Sequence, residues 1–149
     1  MVSYNDIELK KMRVHCSKVI FELNQIDNSQ KDERFELLKN LFAHLGKDTN
    51  IKSYFQCDYG SNIYLGDNVF INYNCVFVDV GKITIGDNTF IGSQVGIYTA
   101  HHPLDPSERI KGLQRGINVQ IGSNCWIGEH ATINPGGCHL TAPFLIIQF

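Results

Sequence analysis

The chain has no CxxC pair, no block of lysines or arginines, and no apolar run longer than a few residues. Each absence excludes a class. The five cysteines, Cys16, Cys57, Cys75, Cys125 and Cys138, are scattered and odd in number. That pattern fits free thiols in a reducing cytoplasm, the expected location, better than a disulfide framework. A formal net charge of −2 supplies no electrostatic footprint for nucleic acid or for an anionic membrane. The apolar runs are too short to span a bilayer. Residues 1–11 mix acidic, basic and polar side chains and lack the apolar centre of a signal peptide.

What remains is 149 residues, 43% of them hydrophobic, enough for one domain with a core of its own. Its first third carries a helical period. Leu9, Met12, Cys16, Val19, Ile20 and Leu23 recur at three- and four-residue spacing, and Phe35, Leu38, Leu41, Phe42 and Leu45 make a second stripe. Ser29, with Asp32 three residues on, imitates a capping box for the second helix. Gly46 follows Leu45 where a left-handed C-terminal cap is expected. The spacing predicts a helical hairpin whose apolar stripes need another surface.

From residue 65 the period becomes six. Leu65, Ile71 and Phe77 form one set, Ile85, Ile91 and Ile97 a second, Ile121, Ile127 and Ile133 a third. Each set opens on a similar tag, Leu65-Gly66-Asp67-Asn68, Ile85-Gly86-Asp87-Asn88 and Ile121-Gly122-Ser123-Asn124. The residue after each apolar one is Gly or Asn at seven of the nine positions, which suggests left-handed turns there. The fourth is mostly small: Val69, Cys75, Thr89, Val95, Cys125, Ala131. A six-residue period suits a short strand plus a tight corner, and three such sides close a triangular coil of parallel strands. The competing reading is an antiparallel sandwich with chance regularity. Between Leu65 and Ile85 two residues exceed three hexapeptides, placed near Gly81-Lys82. Between Ile85 and Ile121 eighteen more must leave as a loop, at about residues 102–118, where function tends to sit. The chain thus divides into a helical segment (1–50), a β-helix (51–136) and a tail outside the pattern (137–149).

Several segments in order resemble the maltose/galactoside O-acetyltransferase group of hexapeptide-repeat acyltransferases, which also includes nodulation-factor acetyltransferases. They are Tyr4 with Asp6-Ile7-Glu8-Leu9, Arg13 and Asn24; Cys57-Asp58-Tyr59-Gly60-Ser61-Asn62-Ile63; Phe70-Ile71-Asn72-Tyr73-Asn74 with Asp79; Tyr98-Thr99-Ala100-His101-His102-Pro103-Leu104-Asp105-Pro106 with Arg109; Trp126-Ile127-Gly128; and Ile133-Asn134-Pro135-Gly136. Tyr4 lies closer to Asp6 than the group's usual spacing. The resemblance implies a mainly β fold, a left-handed parallel β-helix, against the usual right-handed crossover rule. It also implies acetyl transfer from acetyl-coenzyme A to a sugar or sugar-like hydroxyl, no metal, and a homotrimer with active sites between subunits.

Transfer of acetyl from a thioester to a hydroxyl needs the hydroxyl proton removed as attack proceeds. Histidine suits this, with an unperturbed pKa of about 6.5. The resemblance assigns the base to His102, the histidine before proline, and leaves His101 structural. It places Asp6, Asp58, Asn72 and Asp79 on the acceptor, and Asn72, Trp126 and Glu129 on the cofactor, Glu129 through its backbone. Each also has a plainer explanation: a solvated surface Asp, a corner-forming Asn, a Trp packed beneath the loop. Arg109 is expected to pin the loop.

Two other enzyme readings stay open or fall away. An acetyltransferase for antibiotics or amino acids shares the solenoid and loop histidine but lacks the helical signature from Asp6 to Asn24. A zinc hydrolyase on the same solenoid needs three converging histidines, and no third follows His102 and His130 at ligand-like spacing. After Gly136 the resemblance ends. The group continues with another tag and further coils, whereas here the chain reads Gly137-Cys138-His139-Leu140-Thr141-Ala142-Pro143 and then Phe144 to Phe149. The expectation is a shortened solenoid with an incomplete coenzyme A groove, impaired in turnover, or a non-catalytic remnant.

Overall fold

The computed structural model describes residues 2–136 and, beyond them, the backbone of His139–Leu140 and Leu145–Ile146. Helices α1 (Ile7–Gln25) and α2 (Lys31–Leu41) come first. Asp6 caps α1, its carboxylate accepting from the amides of Glu8 and Leu9 at 2.9 and 3.1 Å. The second cap differs from expectation. Ser29 turns back to Asp27, its amide and hydroxyl both donating to that carboxylate, and α2 starts after Gln30 with no side-chain cap.

Helix α2 stops at Leu41, short of the predicted stripe, and Leu45 belongs to the first strand of the solenoid. The solenoid therefore begins ahead of residue 51. Its first side stacks His44–Leu45, Ile63–Leu65, Ile83–Ile85, Val119–Ile121 and His139–Leu140 in parallel. The second stacks Asn50–Ile51, Phe70–Ile71, Phe90–Ile91, Trp126–Ile127 and Leu145–Ile146. The third stacks Gln56–Cys57, Val76–Val78, Gly96–Tyr98 and Thr132–Ile133. Together they form the left-handed β-helix the resemblance implied. The six-residue phase also outlasts Gly136: Leu140 pairs with Ile121, and Ile146, six residues on, pairs with Ile127. The remaining tail residues, Cys138 among them, lie outside the described residues.

The core is one column. All nine repeating apolar residues from Leu65 to Ile133 are buried, as are the small residues at the fourth position. In the first coil Phe55 takes that fourth position and packs edge-on against Phe42 and Phe77. The corners correct one expectation. Positive φ falls three residues after the apolar one, at Asp48, Asn68, Asn88 and Asn124 on the first edge and Tyr54, Asn74, Gln94 and His130 on the second. The glycine directly after the apolar residue serves a different need, because adjacent coils touch there. A Cβ on Gly86 would stand 2.6 Å from the Ser123 nitrogen. Gly46 does the same against Gly66 and is no helix cap.

The helical hairpin closes the N-terminal end of the column. Cys16, Ile20, Leu23, Leu38 and Leu41 are buried with the core. Buried Arg34 donates to the carbonyls of Leu23, Ile26 and Ile51, and the side-chain amide of Asn24 bridges the Phe55 carbonyl and the Tyr54 amide. These bonds satisfy backbone groups that an open coil end leaves unpaired. Cys16 and Cys57 are free thiols whose sulfurs share a hydrogen bond at 3.5 Å. Among the described residues no helix is long and apolar enough to cross a membrane.

Candidate active site

Two edges of the triangle are uniform and the third is not. Each first- and second-edge corner spans six residues, as from Leu65 to Ile71 and on to Phe77. The third edge runs from Cys57 to Leu65, from Phe77 to Ile85 and from Ile97 to Ile121. The long excursion leaves here. Its root is Thr99, fully buried, whose hydroxyl donates to the Val78 carbonyl and accepts from the Gly81 amide, both at 2.7 Å. The Ile117 amide closes the root on the Thr99 carbonyl at 2.8 Å. The excursion thus covers residues 100–116, two residues earlier at each end than expected.

It is no slack loop. Ala100–His101 pairs antiparallel with Leu113–Gly116, which pairs in turn with Val2–Ser3. Between them a short helix, Pro106–Arg109, is capped by Asp105. Arg109 donates to the carbonyls of Pro103 and Leu104 at 3.2 Å, which pins the bend as anticipated. His101 is a strand residue paired with Arg115. His102 follows it, solvent-exposed, and makes no hydrogen bond among the described residues. A braced backbone carrying an imidazole with free nitrogens is a usable proton acceptor.

The same edge gathers the carboxylates. Asp6 is exposed, with one oxygen committed to capping α1. Asp58 is half-buried; burial pushes its carboxyl upward from the ordinary value, and the charge of Arg13 pulls it back. Asp79 corrects its expected role as an acceptor ligand. It is 0% exposed, and one carboxylate oxygen takes the backbone amides of Asp58 and Tyr59, both at 2.9 Å. Burial pushes it upward too, against the pull of those bonds. No solvent-side ligand reaches it. Sequence reasoning also passed over Tyr59, whose hydroxyl takes Arg13 Nη1 at 2.8 Å, while Nη2 donates to the Tyr4 carbonyl at 2.7 Å. Arg13 stacks 4.1 Å from the Tyr4 ring centroid, so the N-terminal segment is tied to this edge by the arginine already noted in the helical signature.

Asn72, Trp126 and Glu129 come together elsewhere. They line a groove of about 500 Å³ along the second side and its edge, with Phe70, Phe90 and His130. Trp126 is 57% exposed, so it forms groove wall and does not pack beneath the loop. Phe70, Phe90 and Trp126 occupy matching positions on successive strands, a ladder of outward aromatic rings. Asn72 accepts the Tyr73 amide on its side-chain oxygen at 2.9 Å, leaving its NH₂ group free to donate. Gly92 lets the Glu129 backbone stack closely; a Cβ there would stand 2.7 Å from the Glu129 nitrogen. A sequence signal for the ladder existed in the aromatic residue before Ile71, Ile91 and Ile127. His102 does not line this groove.

Residues 3–46 match the family model described as a maltose acetyltransferase hexapeptide capping motif. A putative acetyltransferase of Saccharomyces cerevisiae is 40% identical over 131 residues, 88% of this chain and 67% of that one. The crystal structure of a maltose O-acetyltransferase from Clostridium difficile 630 superposes with a TM-score of 0.86 at 42% identity, covering 90% of this chain and 72% of its own. A galactoside acetyltransferase in complex with coenzyme A gives 0.85 at 33%, covering 90% and 67%. With the hairpin cap, the stacked hexapeptides and the braced histidine excursion in one order, the chain belongs to the maltose/galactoside O-acetyltransferase group of hexapeptide-repeat acetyltransferases.

Proposed function

We propose that this chain moves acetyl from acetyl-coenzyme A to a sugar hydroxyl, with His102 as general base, in a homotrimer whose sites are shared between chains. The observation that carries the reading is the exposed, unbonded imidazole of His102 on an excursion braced at Thr99, Arg109 and the N-terminal strand. His102 accepts the proton of the acceptor hydroxyl as its oxygen attacks, then returns it to the departing sulfur. Asp58 and the free oxygen of Asp6 accept hydrogen bonds from other sugar hydroxyls. The groove fits a long thioester co-substrate: Trp126 offers an apolar ring, the Asn72 NH₂ a donor, and the backbone near Glu129 amide partners. Acetyl-coenzyme A supplies the activated acetyl group. One chain leaves base and groove on different faces of the prism. A threefold ring sets the third edge of one chain against the second side of the next.

His102→Ala is expected to lower kcat by roughly 10²–10⁴-fold with folding intact, and His101→Ala far less. The assay is release of free coenzyme A thiol with glucose, galactose, maltose and N-acetylglucosamine as acceptors. Equal losses from the two substitutions would defeat the assignment.

A further inference from the structure

Asp79 has the wrong surroundings for a ligand and too much polarity for a core residue. It occupies the position equivalent to Thr99 in the next coil, where a hydroxyl suffices to hold the corner. A buried carboxylate is the more costly choice unless its bonds do something a hydroxyl cannot. Among the described residues its second oxygen has no partner, and neither does the buried Ser61 hydroxyl in the turn beneath. The bonds it does make all reach the turn after Cys57. The amides of Asp58 and Tyr59 converge on one oxygen, and the side-chain amide of Asn62 donates to the Asp79 carbonyl at 2.7 Å. The turn is thus held near both ends from the coil above. Asp58 itself has no hydrogen bond to its carboxylate among the described residues; burial raises it and the charge of Arg13 pulls it back. Its backbone is what is held.

We propose that Asp79 is a positioning residue for acceptor binding: it fixes the backbone of Asp58 and Tyr59 so that the Asp58 carboxylate faces the acceptor. The proposal rests on the reading of Asp58 as an acceptor ligand. Because the hydrogen bonds of Asp79 reach neither the groove at Trp126 nor His102, its effect is expected on the acceptor alone. A carboxylate or carboxamide oxygen, with two lone pairs, serves two amides at once. The hydroxyl of a threonine is too short to do so from the same backbone position.

The test compares the unaltered chain with Asp58→Asn, Asp79→Thr and Asp79→Asn, using the best acceptor among glucose, galactose, maltose and N-acetylglucosamine. Asp79→Thr fits a site where the next coil already buries a threonine, so it is preferred to Asp79→Ala, which risks misfolding. Its acceptor KM is expected to rise about tenfold, with kcat and the KM for acetyl-coenzyme A changing by less than about twofold. Asp79→Asn should rescue most of that loss. If Asp58→Asn raises the acceptor KM and Asp79→Thr leaves it unchanged, the proposal is overturned. It is also overturned if Asp79→Thr raises both KM values and lowers kcat together, or if Asp79→Asn fails to rescue. If Asp58→Asn has no effect, or the unaltered chain acetylates none of the four sugars, the acceptor reading itself fails.

Discussion

A carboxylate shut inside a solenoid must be legible in the pH dependence of folding. Burial raises the Asp79 carboxyl above its ordinary value, so the folded chain holds that proton to higher pH than the unfolded chain. Its contribution to stability is therefore full below the ordinary carboxylate range and is lost as pH rises through the folded value. Asp79→Asn removes this titration and keeps an oxygen for the two amides. The difference in Tm, variant minus parent, should be more positive at pH 7 than at pH 4. An identical difference at both values would remove Asp79 from the account. The buried thiols belong to the same scale: burial moves Cys75 to about 11, which leaves it protonated and inert at neutral pH.

At the scale of the element, the coil is decided by how closely neighbouring backbones approach. Gly86→Ala places a methyl group 2.6 Å from the Ser123 nitrogen and 2.7 Å from the Gly122 carbonyl carbon. A destabilisation of about 1–3 kcal/mol is expected, measured by urea unfolding; no shift in midpoint would mean the coils slide apart freely. This contact also explains what could and could not be read beforehand. Apolar and small residues repeat because each stacks on its own kind, so the period showed the column from residue 65 onward. Leu45-Gly46-Lys47-Asp48 is the same tag, yet Leu38, Leu41 and Leu45 also fit a helical stripe, and the helical reading took it. The left-handed corner was sought at the glycine, since glycine tolerates positive φ. It sits instead at Asn68, Asn88 and Asn124, where the side chains also link in a ladder, at 2.9 and 3.3 Å. Of the site, His102 and Asn72 were named by the resemblance alone. The burial of Asp79 could not be, because a one-coil stack of bonds leaves no trace in spacing.

For the whole molecule, the separation of His102 from the groove at Asn72 sets a sharp expectation for assembly. His102→Ala and Asn72→Ala should each be nearly inactive alone. Co-assembled at equal amounts in a threefold ring, they should regain about a quarter of the parent activity, because random mixing gives that share of sites one intact residue from each neighbour. A site housed within one chain would regain none, and light scattering that finds only monomer at micromolar concentration would count equally against it. The unevenness of the triangle carries one more consequence. Corners of six residues lock every coil on two edges, so an inserted residue there would rotate inward side chains out of the column. The third edge has already absorbed different lengths in successive coils, up to the whole excursion between Ile97 and Ile121. It behaves like the open side of a bound book, where pages of unequal width do no harm to the spine. New sequence can be written along that margin while the stacking of the other two edges stays as it is.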